Sequence, residues 1–308
     1  MGSKKGDTRE FEVTSGITLS RTLIPTLPPN YLSRKHLFHL LENPSPSTTV
    51  VIAPAGYGKT SLIAEWANSH SDRVIWVTLT ERDTLEEMSK IFIQATRNII
   101  PGFAPWFELE PGIRPVENVR RWGNELLETG GEFILVIDNL RQHTARDVDI
   151  AVRLIEQFPS NLRFITIRRD SIETVYATFS SRGPLHVIGA KELAFNDSEI
   201  EALANLQKVS LSDSGIHDSI FAARGWPTAV SMLISQISRT GSPVDFENIA
   251  TSNIDPLKTL AASVIDSLEP QIRKILSALS VLREFSHEQA EIILGDNYSF
   301  DQINSLAL

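Results

Sequence analysis

Two spacings of apolar residues divide the chain. From Thr48 to about Gly189, short runs that are apolar on both faces alternate with stripes of helical period. The runs are Thr48–Ala53, Arg73–Leu79, Phe133–Ile137, Leu162–Ile167 and Leu185–Ile188, as expected of strands buried in a parallel sheet. Between them, Met88, Ile91, Phe92, Ala95 and Ile99 share one helix face, opened by a capping box at Thr84 and Glu87. Val116, Val119, Trp122 and Leu126 form a second stripe, stopped by Gly130-Gly131. Val148, Ala151, Ile155 and Phe158 form a third, stopped at Pro159. This βαβ alternation predicts an α/β parallel sheet.

The flanks follow other rules. The first residues read as a polar tail, and Pro25, Pro28 and Pro29 mark an extended arm, because proline fixes φ and disfavours helix just before it. Leu37, Leu40 and Leu41 predict a short helix from about Ser33 to Glu42, followed by a loop at Asn43–Ser47. Beyond Lys191 only helical signals remain. Asn196 and Glu199 predict a capping box for a helix through Leu203, and Gly225-Trp226-Pro227 predicts a helix start with proline in the first turn. Further helices are expected at Ile254–Leu268, Gln271–Leu282 and His287–Leu294. Phe300–Leu308 is apolar and uncapped, so the chain is expected to continue in a longer protein. The expected division is a tail and arm (1–47), a sheet domain (48–190), a helical domain (191–255) and a final domain (256–308).

Composition removes several function classes. The chain of 308 residues is 42% hydrophobic and has no cysteine, which excludes disulfides, thiolate metal sites and a cysteine nucleophile. Its apolar runs fall far short of the roughly 20 residues of a membrane span, and no apolar stretch follows the basic N-terminus to make a signal peptide. A cytoplasmic chain without membrane contact is expected. The net charge is −9, and the basic residues form no dense patch, which argues against direct DNA binding. The seven histidines show no metal-ligand spacing.

The chemistry concentrates at Ala53-Pro54-Ala55-Gly56-Tyr57-Gly58-Lys59-Thr60-Ser61. This segment follows an apolar strand and precedes an apolar-faced helix, the context of a phosphate-binding loop. Gly56 and Gly58 let successive amides turn toward phosphate oxygens at a helix N-terminus. Lys59 is placed to reach the β- and γ-phosphates, and the Thr60 hydroxyl to ligate Mg²⁺. Ala53 stands where the common pattern has glycine, a position that needs only a small residue. The ligand expected is ATP or ADP with Mg²⁺.

Phe133–Asp138 reads as a strand ending in the carboxylate that holds Mg²⁺ beside such a loop. The next residue is Asn139, which can orient water but cannot accept its proton. Tight nucleotide binding with slow hydrolysis follows, at most a slow P-loop ATPase. The strand after it ends in Arg168-Arg169. Arg169 is the expected sensor of the γ-phosphate, with Arg168 as the alternative.

The combination APAGYGKT, ILVIDN, ITIRRD and GWPTAV, in that order, resembles the nucleotide-binding module of MalT-like regulators. These are STAND-class ATPases, the large ATP-binding members of the LuxR transcription factors. The resemblance covers about residues 22–308. It implies a P-loop sheet, then a helical domain, then a winged-helix domain. It also implies that Arg34 lies near the adenine, that Pro227 packs by the base, and that Arg169 is the strand-end arginine. The usual Asp-Asp-x-His is here Asp138-Asn139-Leu140-Arg141. Further implied are self-association in the ATP state, and repeat-sensor and DNA-binding domains outside this chain. Segment 261–308 holds three basic and seven acidic residues, unsuited to reading DNA despite its expected winged-helix shape.

Two other readings stay open at this point. One is a P-loop enzyme, either an AAA+-like motor or a small-molecule kinase, against which Asn139 and the lack of an arginine-rich lid weigh. The other is a degenerate scaffold, against which the intact Lys59 and Thr60 weigh.

Overall fold

The computed structural model describes residues 18–42, 48–80, 83–110, 112–139, 154–159, 162–169, 179, 184–243, 270–280 and 287–294. Five parallel strands form its centre: β1 (Thr48–Ile52), β2 (Val74–Thr78), β3 (Ile134–Asp138), β4 (Arg163–Arg168) and β5 (Leu185–Ile188), in the order β2-β3-β4-β1-β5. Thr48 pairs with Phe164 and Leu185, and Ile134 with Val74 and Arg163. Because all strands run one way, Ile52, Asp138 and Arg168 emerge along one edge of the sheet, where α/β proteins build their sites.

Period-two alternation decides which layer each strand residue joins. Leu135 and Ile137 of β3 face a layer with Phe92, Trp122, Phe158 and Phe164. Ile134 and Val136 face the other, with Leu62, Ile63, Trp66 and Trp76. The expected apolar runs therefore became strands, trimmed by a residue at some ends and, in β3 and β4, shifted one residue toward the C-terminus. α3 (Leu85–Arg97) carries the expected Thr84–Glu87 capping box, a short α4 (Trp106–Leu109) follows, and α5 (Pro115–Glu128) ends just before Gly130. Of the third stripe, Ile155 and Phe158 are buried; Val148 and Ala151 lie outside the described residues.

The helix expected at Ser33–Glu42 is a correction. The segment is a 3₁₀ turn at Lys35–Leu37 followed by a short helix, α1 (His39–Glu42). Arg34 is non-helical (φ −118°, ψ 36°) because its backbone N–H is held 2.9 Å from a carboxylate oxygen of Glu65, outside any helical ladder.

After β5 the chain is helical: α6 (Ala190–Leu193), α7 (Asp197–Leu206), α8 (Ser214–Phe221) and α9 (Pro227–Thr240). The Asn196–Glu199 capping box opens α7, and Pro227 occupies the first turn of α9, where its missing N–H costs nothing. Leu203, Ile220, Val230, Leu233 and Ile234 close a third core of their own. α10 (Pro270–Leu279) packs on α11 (His287–Leu294). The helix expected at Ile254–Leu268 and the Phe300–Leu308 segment lie outside the described residues. Among the described residues no helix is long and apolar enough to cross a membrane.

Candidate nucleotide-binding site

The loop between β1 and α2 (Lys59–Asn68) curls through Gly56 (φ +81°) and Gly58 (φ +72°), a backbone region that side chains disfavour. Gly58 is the N-cap of α2, so the first amides of a ten-residue helix point out of the loop. The Lys59 ammonium lies beneath the loop and donates to the carbonyl oxygens of Ala53 (2.5 Å) and Pro54 (2.7 Å). Burial, reinforced by the positive charge of Arg169 and opposed by Asp138, pushes its pKa from 10.5 down to about 8.

Asp138 ends β3 facing the start of α2. The Thr60 hydroxyl donates to its carboxylate at 3.2 Å. Burial raises the Asp138 pKa, while Thr60 and Lys59 pull it down. A half-buried carboxylate beside a hydroxyl is a pair of hard oxygen donors, suited to a divalent cation that keeps water and phosphate ligands. Asp138, Thr60, Lys59, Ser61, Asn139, Arg168 and Arg169 line one cavity of about 480 Å³.

Arg168 ends β4 and Arg169 follows it, and the two differ in exposure. Because β4 lies between β1 and β3, both reach this cavity. Arg168 is 1% exposed, with its guanidinium 5.8 Å from the Phe179 ring centroid. Arg169 is exposed, lines the cavity and is close enough to depress the Lys59 pKa. Asn139 lines the cavity too, with φ +64°. Its amide nitrogen donates to the Leu79 carbonyl at 3.0 Å, so this donor staples β3 to the end of β2.

A second cavity, of about 370 Å³, meets the first at Gly56, Gly58, Ser61 and Thr228. Tyr31, Leu32 and Arg34 of the arm form one wall; Phe195 and Pro227 form another. Arg34 and Pro227 thus meet at one space despite their distance in sequence. Arg34 serves it as a buried keystone. Its Nε lies 2.6 Å from Glu199 Oε1, a second bond reaches Glu199 Oε2, and its other donors engage the carbonyls of Leu193 and Ala194. The guanidinium also lies 5.0 Å from the Phe195 ring centroid. Tyr57, by contrast, packs on the sheet core, and burial raises its phenol pKa; neither cavity is lined by Pro54, Ala55 or Tyr57, although the Pro54 and Ala55 carbonyls are used.

Three connections went unseen in the sequence. Trp226 donates its indole N–H to the Ala55 carbonyl (3.1 Å). Thr228 donates both its amide (3.1 Å) and its hydroxyl (2.7 Å) to the Gly56 carbonyl. Glu65 of α2 accepts from the Tyr31 hydroxyl, the Ser33 hydroxyl and the Arg34 amide; burial and this carboxylate raise the Tyr31 pKa far above its ordinary value. A glutamate among Leu62, Ile63 and Trp66 was the available signal for the last.

No protein-family model matches the chain. In sequence it is 26% identical, over 273 residues and 84% of its length, to the HTH-type transcriptional regulator MalT of Yersinia enterocolitica. It is 27% identical over 81% of its length to MalT of Yersinia pestis. The chain is thus similar in sequence to MalT regulators. It spans about 30% of the length of these relatives. Its fold is shared with the Walker-type ATPase PABY2304 of Pyrococcus abyssi (TM-score 0.61, 17% identity, 94% of this chain and 92% of that one). It is shared also with a STAND protein with a tetratricopeptide-repeat sensor from Pyrococcus horikoshii (TM-score 0.51, 17% identity, 94% and 40%). At these identities the likeness is one of fold, and the chain shares the parallel-sheet α/β architecture of these two proteins.

Proposed function

We propose that this chain is the ATP- and ADP-binding switch module of a STAND-type transcriptional regulator. The observation that supports it most is the junction of two unlike cavities at the phosphate loop. One is polar and holds Lys59, Thr60, Asp138 and Arg169; the other is largely apolar and walled by Leu32, Phe195 and Pro227. A triphosphate suits the first and a purine nucleoside the second. Thr60 and Asp138 would hold Mg²⁺, which screens the phosphate charge when bound. Lys59 and Arg169 neutralise the terminal phosphates. Asn139 leaves the attacking water without a carboxylate base, so turnover is slow.

The helical part touches the loop directly through Trp226 and Thr228, giving nucleotide a means to favour one arrangement of the domains. Only a nucleotide that binds one arrangement better than another can shift the balance. ADP would hold a closed monomer; ATP, with signals read by domains outside this chain, would open it for self-association. The division proposed is an arm up to residue 47, a nucleotide domain at 48–190, a helical domain at 191–255 and a winged-helix domain at 256–308.

The deciding experiment is calorimetric titration of the purified chain with Mg-ADP and Mg-ATP beside Lys59→Ala. The variant is expected to lose on the order of a hundredfold in affinity. Unchanged binding would show the site to be misassigned. For the longer protein, identical mass distributions in ATP and ADP would overturn the switch reading.

A further inference from the structure

The apolar cavity is longer than a nucleoside. One stripe of α9 lines it, Pro227, Ser231, Ser235 and Arg239 at four-residue intervals, and twelve residues of helix rise about 18 Å. A nucleoside entering from the phosphate loop covers roughly two turns of that length. The stretch from Ser235 to Arg239 is left over.

The chemistry of this far end is one-sided. The Ser235 hydroxyl donates to Gln207 Oε1 at 2.9 Å, which turns the two amide donors of Gln207 away from Ser235. Arg239, one turn further along the same stripe, is exposed, and its guanidinium makes no hydrogen bond or ion pair with any described residue. The cavity's other lining cation, Arg34, is neutralised by Glu199 at 2.6 Å. Leu203 and Met232 supply the apolar floor between. Donors at one end of an apolar slot, with one positive charge unpaired among the described residues, fit a small organic anion.

We infer that the Gln207–Arg239 end of the cavity is a separate subsite for a small organic anion with an apolar body, occupied beside the nucleotide rather than in place of it. Its position as a second site rests on the nucleotide reading; its chemistry does not. Such a ligand would contact both α7 and α9, and so would report on their spacing when nucleotide is bound.

The test uses 4-fluorobenzoate as probe, followed by fluorine NMR on the chain saturated with Mg-ADP, with Mg-ADP affinity measured separately by calorimetry. Expected are binding to the ADP-loaded chain, at least about tenfold weaker binding in Arg239→Glu and in Gln207→Leu, and ADP affinity in Arg239→Glu within twofold of the parent. The neutral 4-fluorobenzamide should bind at least about tenfold more weakly than the acid. Failure of the acid to bind, displacement of it by ADP, equal binding of acid and amide, or equal binding to Arg239→Glu would each overturn the subsite. A chain that holds the acid through Arg239 but binds no ADP would uphold the subsite and overturn the nucleotide reading alone.

Discussion

Thr228 and Gly56, 172 residues apart, share one carbonyl: the Gly56 oxygen accepts both the hydroxyl and the backbone N–H of Thr228. The phosphate loop is therefore fastened to the first turn of α9 as well as to its own strand and helix. Any movement of α9 must break these bonds or drag the loop.

Thr228→Val keeps the side-chain shape and the backbone bond while deleting the hydroxyl. A hydrogen bond of this kind contributes about 0.5–1.5 kcal/mol. ADP affinity is expected to fall by about two- to tenfold, with a small loss of stability, by titration and urea melts. An unchanged affinity would mean that the fastening does not shape the loop.

The two loop glycines separate backbone strain from close packing. Alanine at Gly58 would meet nothing within 4 Å and suffers only its φ of +72°; at Gly56 its Cβ would also lie 2.8 Å from both Thr228 Oγ1 and Trp226 Nε1. Gly58→Ala should cost about 1–2 kcal/mol, and Gly56→Ala distinctly more, with loss of nucleotide binding. Equal melting temperatures for the two variants would contradict this.

Arg34 and Glu199 are both nearly buried, so removing one partner strands the other's charge or lone pairs. Arg34→Met alone is expected to cost about 3–5 kcal/mol. Combined with Glu199→Gln, the loss should fall short of the sum of the single losses by more than about 1 kcal/mol. Additive losses in denaturant unfolding would show that the pair is not coupled.

Lys59 gives the site a pH signature. With its pKa near 8, the ammonium that phosphate requires is lost as pH rises through 8. Affinity for ADP should be flat below that value and then fall by up to about tenfold per unit. Folding responds oppositely: the burial cost of this charge is fully present below pH 8. It is relieved between 8 and 10.5, where the folded chain has shed a proton that the unfolded chain keeps. Calorimetry in buffers of differing ionisation heat should show proton uptake on binding at pH 9. Its absence would place the charge elsewhere.

Asn139→Asp tests the missing base. The asparagine donates to the Leu79 carbonyl, and a carboxylate there would face that oxygen with no proton to give. A loss of about 1–3 kcal/mol of stability is expected, together with faster ATP turnover as the carboxylate supplies the base. Turnover equal to that of the parent would show that Asn139 is not the brake on hydrolysis.

Local chemistry was legible in the sequence and long-range chemistry was not. The strands, the Thr84–Glu87 and Asn196–Glu199 caps, the glycine-rich loop and Asp138 each declare themselves within a few residues. Arg34 was singled out only by resemblance; nothing in its neighbourhood announces Glu199, 165 positions later. Gly225-Trp226-Pro227 was read correctly as a helix start. Its indole and the following threonine take their meaning from a loop on another element, invisible to any periodicity. The helix expected at Ser33 failed for the same reason, because Glu65 claims the backbone amide that a helical ladder would have used.

The arm has a consequence for protein engineering. Tyr31, Ser33 and Arg34 clasp Glu65 on one side and Glu199 on the other, so the four-residue stretch belongs to two bodies at once. A chimera that transplants α7–α9 onto a foreign P-loop sheet must carry this stretch and the matching glutamate with it. Grafts cut at the sheet's first strand would import an orphaned carboxylate and arrive without one wall of the slot.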